Sequence, residues 1–378
     1  MRANGFLIIG LGGLLLLAGC NLARLVSERG QGETVEETSG EATEIGQSAS
    51  APVIAVEPPA NATELLQAED FEYLGAFRLP GGEDPPRTFE YGGNAMTFNP
   101  DGDPEGAADG FTGSLFIMGH DRVAYGEVPD GNQVAEVSIP VPAESGDIES
   151  LDTAEFLQDF TDVTKGAFKD LEEIPRVGMA YVARPETGPL IHLTWGAHLQ
   201  DDSQPSQAWF SPQLKKGSLE GFWYLDGLDP YSVTGYLFEI PQEWADAYTD
   251  GLTLASGRYR DGGQGGMGPS LIAYTPWLED GSAPANKTRL QALPLLLYEN
   301  SYETEELTRC LNGYSHADEW EGGAWLTTAD GRSAVLFAGT KATGEKTWYG
   351  YVNPDGAELV CVDRHITDYP TCRTAEGG

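Results

Sequence analysis

The chain is short of basic residues, of cysteine and of histidine, and it holds a single long apolar run. Against 59 Asp and Glu stand 22 Lys and Arg, a formal net charge of −37 over 378 residues. A surface of that sign repels phosphate backbones, which argues against nucleic acid as a partner. It suits a solvated acidic exterior and, at individual loops, divalent cations. After Cys20 only Cys310, Cys361 and Cys372 remain. Outside the cytoplasm three cysteines permit one bridge and leave one thiol over. Cys361 and Cys372 are the pair closest in sequence, but Cys310 is able to replace either. No GxSxG elbow is present, and the neighbours Ser315 and His316 seldom face each other, which argues against a serine nucleophile. The run Gly263 to Gly268, "GQGGMG", matches a dinucleotide fingerprint in letters only. Pro269 and a strand-like segment follow it where a helix is required.

The one long apolar run is Phe6 to Ala18, preceded by Arg2. It is shorter than the roughly 20 residues a spanning helix needs and lacks a basic stop-transfer flank, so it reads as a signal-peptide core. Leu17-Ala18-Gly19-Cys20 resembles the lipobox of bacterial lipoproteins. That resemblance implies cleavage before Cys20, lipidation of Cys20 and a location on the extracytoplasmic side of the cell membrane or outer envelope. Two or more acyl chains give stable anchoring. Asn21, where an Asp retains some lipoproteins on the inner membrane, points outward. The alternative is an ordinary secretory signal with Cys20 incidental. From Ser27 to about Leu66 the chain is rich in Glu, Gly, Ser, Thr, Ala and Pro. It offers too little apolar surface to offset ordering entropy and reads as a disordered acidic tether. The expected organisation is a signal peptide over 1–19, a lipidated cysteine and tether over 20–66, and one body over 67–378.

In that body 48 Gly and 24 Pro, counted over the whole chain, help to punctuate short runs of aromatic and β-branched residues. This pattern predicts an all-β fold. Two helices are expected as insertions, over Leu151 to Ile174 and over Pro241 to Asp250, the second stopped by Gly251. A hairpin unit recurs: small residues, an apolar strand, a polar turn, an apolar strand, a glycine. It starts at Gly93, at Gly178, at Gly323 and, more weakly, at Gly266, which leads into Leu271 to Tyr274. Small residues at a strand start let several backbones approach one axis, as the innermost strands of a propeller require. The expectation is therefore a β-propeller of about five blades with irregular insertions. No obvious final strand follows Cys372, so the segment Phe71 to Leu79 is expected to close the ring. The alternative is a double-sheet β-sandwich.

A blade returns its second strand to the rim where its first strand began. That gathers His120 and Asp121, then Arg176, then His198, then Arg258, Arg260 and Asp261, then His316, Asp318 and Glu319 as candidate ligand-binding or catalytic residues. Asp121 is offered a metal or acid/base role beside His120, or the plainer fates of closing a turn or pairing with Arg122. His316, Asp318 and Glu319 form the densest polar cluster and are the candidate metal ligands. In Asn99 to Gly110, oxygen side chains alternate at Asn99, Asp101, Asp103 and Glu105, as in a calcium loop. Gly110 stands where a bidentate Glu is needed, and a plain hairpin loop is the simpler reading. His192 is expected to be a hydrogen-bonded structural residue. Trp195, Trp320 and Trp325 are candidate stacking surfaces, with core packing the expected fate of Trp325.

The unit "YGGNAMTFNP … GSLFIMGHDR" resembles the first blade of phytase-like and esterase-like propeller proteins. The resemblance implies a top-face site, often metal-assisted, acting on phosphate or carboxylic esters. The leading expectation is a lipid-anchored module at the cell envelope that binds a small molecule, a carbohydrate or an envelope protein. The alternative is a metal-assisted hydrolase with a divalent cation such as calcium.

Overall fold

The computed structural model describes residues 65–103, 110–122, 127–171, 175–197, 203–260, 268–298, 310–311, 314–315, 318–328, 331–340, 359–362 and 371–374. The chain divides between Ala62 and Thr63, and the described residues belong to the second part. The segment read as a signal peptide, Cys20 and nearly all of the segment read as a tether lie outside them.

Among the described residues the body is all-β, built of several mainly antiparallel sheets, none closed on itself. The first holds, in order, β1 (Met96–Asn99), β2 (Gly110–Met118), β3 (Val134–Pro140) and β4 (Phe156–Thr161). The second begins with β5 (Pro175–Arg184), β6 (Gly188–Ala197), β7 (Gln207–Phe210) and β8 (Glu220–Leu225). The third begins with β9 (Tyr236–Glu239), β10 (Leu254–Gly257) and β11 (Leu271–Tyr274). The parallel strand β12 (Arg289–Leu290) finishes the second sheet and β13 (Ala292–Leu296) the third. Three hairpins follow: β14 (Cys310–Leu311) with β15 (Tyr314–Ser315), β16 (Glu319–Thr327) with β17 (Ser333–Thr340), and β18 (Leu359–Val362) with β19 (Thr371–Thr374).

The strands β1, β5, β9 and β16 are neighbours in that order. Their packing explains why the chain needs small residues there. A Cβ added at Gly178 of β5 would sit 2.7 Å from the Tyr236 carbonyl carbon of β9, and one at Gly323 of β16 would sit 2.9 Å from the Tyr236 ring. Two strands thus close on β9 from opposite sides at positions that admit no side chain.

Apolar side chains fill the spaces between successive sheets. Phe116, Met118 and Val134 of the first sheet pack with Met179, Ile191 and Leu193 of the second. Ala180, Val182 and Trp223 of the second pack with Leu237, Leu254 and Ile272 of the third. Alternate residues of β5 therefore enter different cores, which is why "MAYV" reads as a continuous apolar run rather than an alternating one. Phe238 and Ala255 of the third sheet pack with Trp325, Val335 and Phe337 of β16 and β17. A middle sheet buried on both faces does not fit the two-sheet sandwich.

Several expectations are corrected. The acidic stretch from Leu151 is not helical: it contains β4, then turns through residues 163–170. Its apolar residues follow a bulged strand, with register shifts against β3, whose spacing mimics a helical period. The second helix is present as α1 (Gln242–Tyr248), with Pro241 at its N-cap and Gly251 in the left-handed region at φ 82. Leu271–Tyr274 is an interior strand, not the inner edge of its sheet, and β9 takes the inner place. Phe71 to Leu79 forms no continuous strand. It bridges at Ala76 to Ala143 and at Arg78 to Thr153, while the preceding Asp70 pairs with Arg332 of the β16–β17 turn at 3.6 Å. His192 is buried, and its Nδ1 has no hydrogen-bond partner among the described residues. Burial, helped by Arg184, lowers its pKa to about 3, so it stays neutral between the rings of Trp209 and Trp277. Trp195 is no stacking surface either, being enclosed by Phe168 and Phe222.

Gly178→Ala is expected to cost about 1–3 kcal/mol by forcing β5 away from β9. Gly146→Ala, where an added Cβ meets nothing within 4 Å, serves as the control and should be near neutral. Denaturant unfolding of the two variants checks this.

Candidate functional site

In the four main sheets the second strand ends beside the start of the first. Met118 lies next to Gly93, Ala197 opposite Pro175, Gly257 opposite Tyr236 and Thr340 opposite Glu319. Residues at these ends share one rim, because neighbouring inner strands run close together.

His120 and Asp121 follow β2 and are held from both sides. The His120 N–H donates to the Thr88 carbonyl at 2.7 Å, the Asp121 N–H to Tyr91 at 3.1 Å, and the Asn132 N–H to the His120 carbonyl at 2.8 Å. The buried His120 ring places Nδ1 2.7 Å from the Asp121 carbonyl oxygen, which accepts, so that nitrogen carries the proton. Tyr91 packs edge-on at 5.6 Å.

Asp121 pairs not with Arg122 but with Arg176 of the next sheet. Its Oδ2 lies 2.8 Å from a guanidinium nitrogen, and its Oδ1 accepts from Asn132 at 3.4 Å. Arg122 is fully occupied elsewhere, donating to the carbonyls of Leu171, Lys169 and Pro129. Arg176 also donates to the Tyr259 hydroxyl at 2.8 Å, and its guanidinium carbon lies 4.0 Å from the centroid of that ring. Tyr259 follows β10 in the third sheet. Its carbonyl accepts from the Trp320 N–H at 2.6 Å, and Arg260 next to it bridges to Glu319, with side chains 3.6 Å apart. One chain of contacts thus links four sheets: Asp121, Arg176, Tyr259 and, through the backbone, β16.

The electrostatics follow from burial. Desolvation raises the Asp121 pKa to about 6 against the pull of Arg176, with Glu321 adding to the rise and His120 opposing it. Desolvation also raises the pKa of Glu321, with Arg176 opposing and Glu319 adding. Burial works against the charge of Arg176, but Tyr259 and Asp121 outweigh it and hold its pKa above the ordinary value. The Tyr259 hydroxyl is pushed up by burial and stays protonated. Two polar atoms in this cluster, Arg176 Nε and Glu321 Oε2, are buried with no hydrogen-bond partner among the described residues.

The structure brings together His120, Asp121, Arg176, Arg260 and Glu319 from the sequence-derived set, with Asp318 buried beside them. His198, Asp261 and His316 lie outside the described residues, as does Glu105 of the loop read for calcium. The Asn99 side chain of that loop is spent on its own fold, accepting from the Asp101 N–H and donating to Glu136, both at 3.2 Å. Among the described residues no group of three His, Cys, Asp or Glu is arranged to hold a metal ion. Trp320 and Trp325 are partly buried in the core shared with the third sheet.

Sequence reasoning missed Tyr259, Asn132 and Glu321. Tyr259 lay between two named arginines. Glu321 is the extra residue of a bulge, since Trp320 opposes Gly339 while Gly322 opposes Ala338. Alternation along a strand says nothing reliable about where such a residue points.

The chain matches no protein-family model, no curated protein and no solved structure.

Because Asp121 binds its proton more tightly in the folded chain than in the unfolded one, its contribution to stability is present below pH 3.8 and lost as pH rises through about 6. Between those limits the loss should approach about 3 kcal/mol. Carboxyl carbon NMR should show Asp121 titrating near 6, and Asp121→Asn should abolish that part of the pH dependence of unfolding.

Proposed function

We propose that this chain is a lipid-anchored, extracytoplasmic β-propeller that binds a hydroxyl-rich ligand, a carbohydrate foremost, at the rim formed by Asp121, Arg176, Tyr259, Glu319 and Glu321. The propeller reading is supported by the serial packing of one sheet on the next and by inner strands that neighbour one another in chain order. The likeness to phytase-like and esterase-like propellers, and the lipobox at Cys20, belong to this proposal. So does a Cys361–Cys372 disulfide, which the direct pairing of those residues in the β18–β19 register favours.

One observation carries the functional reading. Side chains from separate sheets converge on one rim, and their buried Glu321 Oε2 and Arg176 Nε lack partners among the described residues. Such groups are costly to leave unmatched, and a ligand bearing both donors and acceptors satisfies them when side-chain rearrangement at the rim exposes them. Sugars present both around one ring.

A second reading, hydrolysis, is favoured by the Asp121 pKa of about 6. A carboxyl that titrates near neutrality takes up or gives a proton at working pH. In the metal-assisted form of this reading, His316, Asp318 and Glu319 are the residues that would hold a divalent ion, which would supply an activated water; His316 lies outside the described residues.

A glycan panel titrated into the full chain in detergent tests the proposal. At least one sugar should bind, and Glu321→Gln and Arg176→Lys should each weaken it about tenfold, the loss of one charge-assisted hydrogen bond. Binding that is absent across the panel, or unchanged in both variants, overturns it. Turnover of an ester lost in Asp121→Asn would favour hydrolysis instead.

A further inference from the structure

We propose that the cleft along the outer edge of β4 is a second binding site, for an anionic saccharide. It is an open cleft of about 730 Å³ that takes in all six residues of β4, the last strand of its sheet. Thr161 opposes Val134, which opposes Met118, so the cleft descends from the rim that carries His120. Its other wall is the loop between β7 and β8, bearing Lys215 and Lys216, and Gly81, Gly82, Glu83 and Arg87 line its remaining side.

Charge is the first argument. In a chain with 59 acidic and 22 basic residues, the expected neighbour of a lysine is a carboxylate. Arg87 in the cleft has found two, Glu83 at 3.1 Å and Asp159. Lys215 and Lys216 are exposed and make no salt bridge among the described residues, which holds for Lys165, Lys169 and Lys287 as well, but only at 215–216 do two of the chain's seven lysines stand next to each other in the sequence. The cleft thus carries two adjacent ammonium groups on one wall, while its own carboxylates, Glu83 and Asp159, are taken up by Arg87. Two neighbouring cations on the wall of a cleft attract an anion into it.

Preorganisation is the second. The lysine loop does not hang free. Gln158 of β4 accepts from the Leu214 N–H at 2.9 Å and donates to the Pro212 carbonyl at 2.8 Å. The loop then turns on itself through Lys216 N–H to Gln213 carbonyl at 2.9 Å. The same strand that floors the cleft therefore fixes the lysines above it.

The aromatic floor is the third, and it selects the class of anion. Phe156 is 36% exposed, lines the cleft and lies parallel to Phe89 at 6.0 Å, with Phe160 edge-on at 5.5 Å. A rigid exposed aromatic face suits the C–H face of a sugar ring, while the lysines suit an acidic substituent on it. An acidic peptide adding to the β4 edge is disfavoured, because two bulges in β4 break the regular ladder such a strand would need.

Calorimetry on the full chain in detergent tests this with four probes: hexagalacturonate, a sulfated hexasaccharide, uncharged maltohexaose and hexaglutamate. At least one of the two anionic sugars should bind saturably, and which one binds identifies carboxylate or sulfate as the acid. Lys215→Ser with Lys216→Ser should weaken it about tenfold, and Phe156→Ala severalfold. Maltohexaose should stay silent in the cleft, and Glu321→Gln at the rim should leave the anionic binding unchanged, so the two sites fail independently. Absence of anionic-sugar binding, or equal affinity in the double-lysine variant, overturns the proposal. So does hexaglutamate binding as tightly with Phe156→Ala without effect, which would mark the cleft as a peptide site.

Discussion

The architecture depends on how closely backbones approach Tyr236. Gly178 and Gly323 flank β9 at positions where a single methyl group would collide with it. That approach brings the ends of separate sheets within reach of side-chain contact. Residues distant in sequence, Asp121, Arg176, Tyr259 and Glu319, meet only because these inner strands crowd together. The apolar cores between sheets supply the bulk of the burial energy, but they do not select which polar residues meet.

The rim stores unfavourable electrostatics rather than stability. Asp121 and Glu321 are both pushed toward their neutral forms by burial, and one guanidinium serves them and a tyrosine at once. A buried pair of this kind gains little net free energy over an apolar substitute, though removing one partner is costly. Perturbed carboxyls in a shared cluster are what functional sites tend to contain. The bulge at Glu321 follows the same logic, since a regular ladder would have left that carboxylate in the strand's alternation.

Much of this was legible in the residues, and the parts that were not have physical reasons. The all-β class followed from short β-branched runs between glycines and prolines. The shared rim followed from the hairpin unit, and it placed His120, Asp121, Arg176, Arg260 and Glu319 together. Arg260 reached the rim by a different route from the expected one: it follows the second strand of its sheet, β10, rather than preceding the first. Both routes end at the same level because Gly257 pairs with Tyr236. The helix expected from Leu151 failed because a bulged strand copies helical spacing. The partner of Asp121 could not be read from sequence, since Arg122 was adjacent and Arg176 was 55 residues away. Only the fold decides between them, and it spends Arg122 on backbone carbonyls.

The central claim is that Asp121 and Arg176 act as one unit across two sheets. A double-mutant cycle on unfolding, using Asp121→Asn, Arg176→Met and the double variant at pH 8, measures that directly. A coupling energy above about 1.5 kcal/mol is expected for a partly buried pair with bonds to charged groups. Effects that add within about 0.5 kcal/mol would contradict it, and would mean that the two side chains stand side by side without forming a shared site.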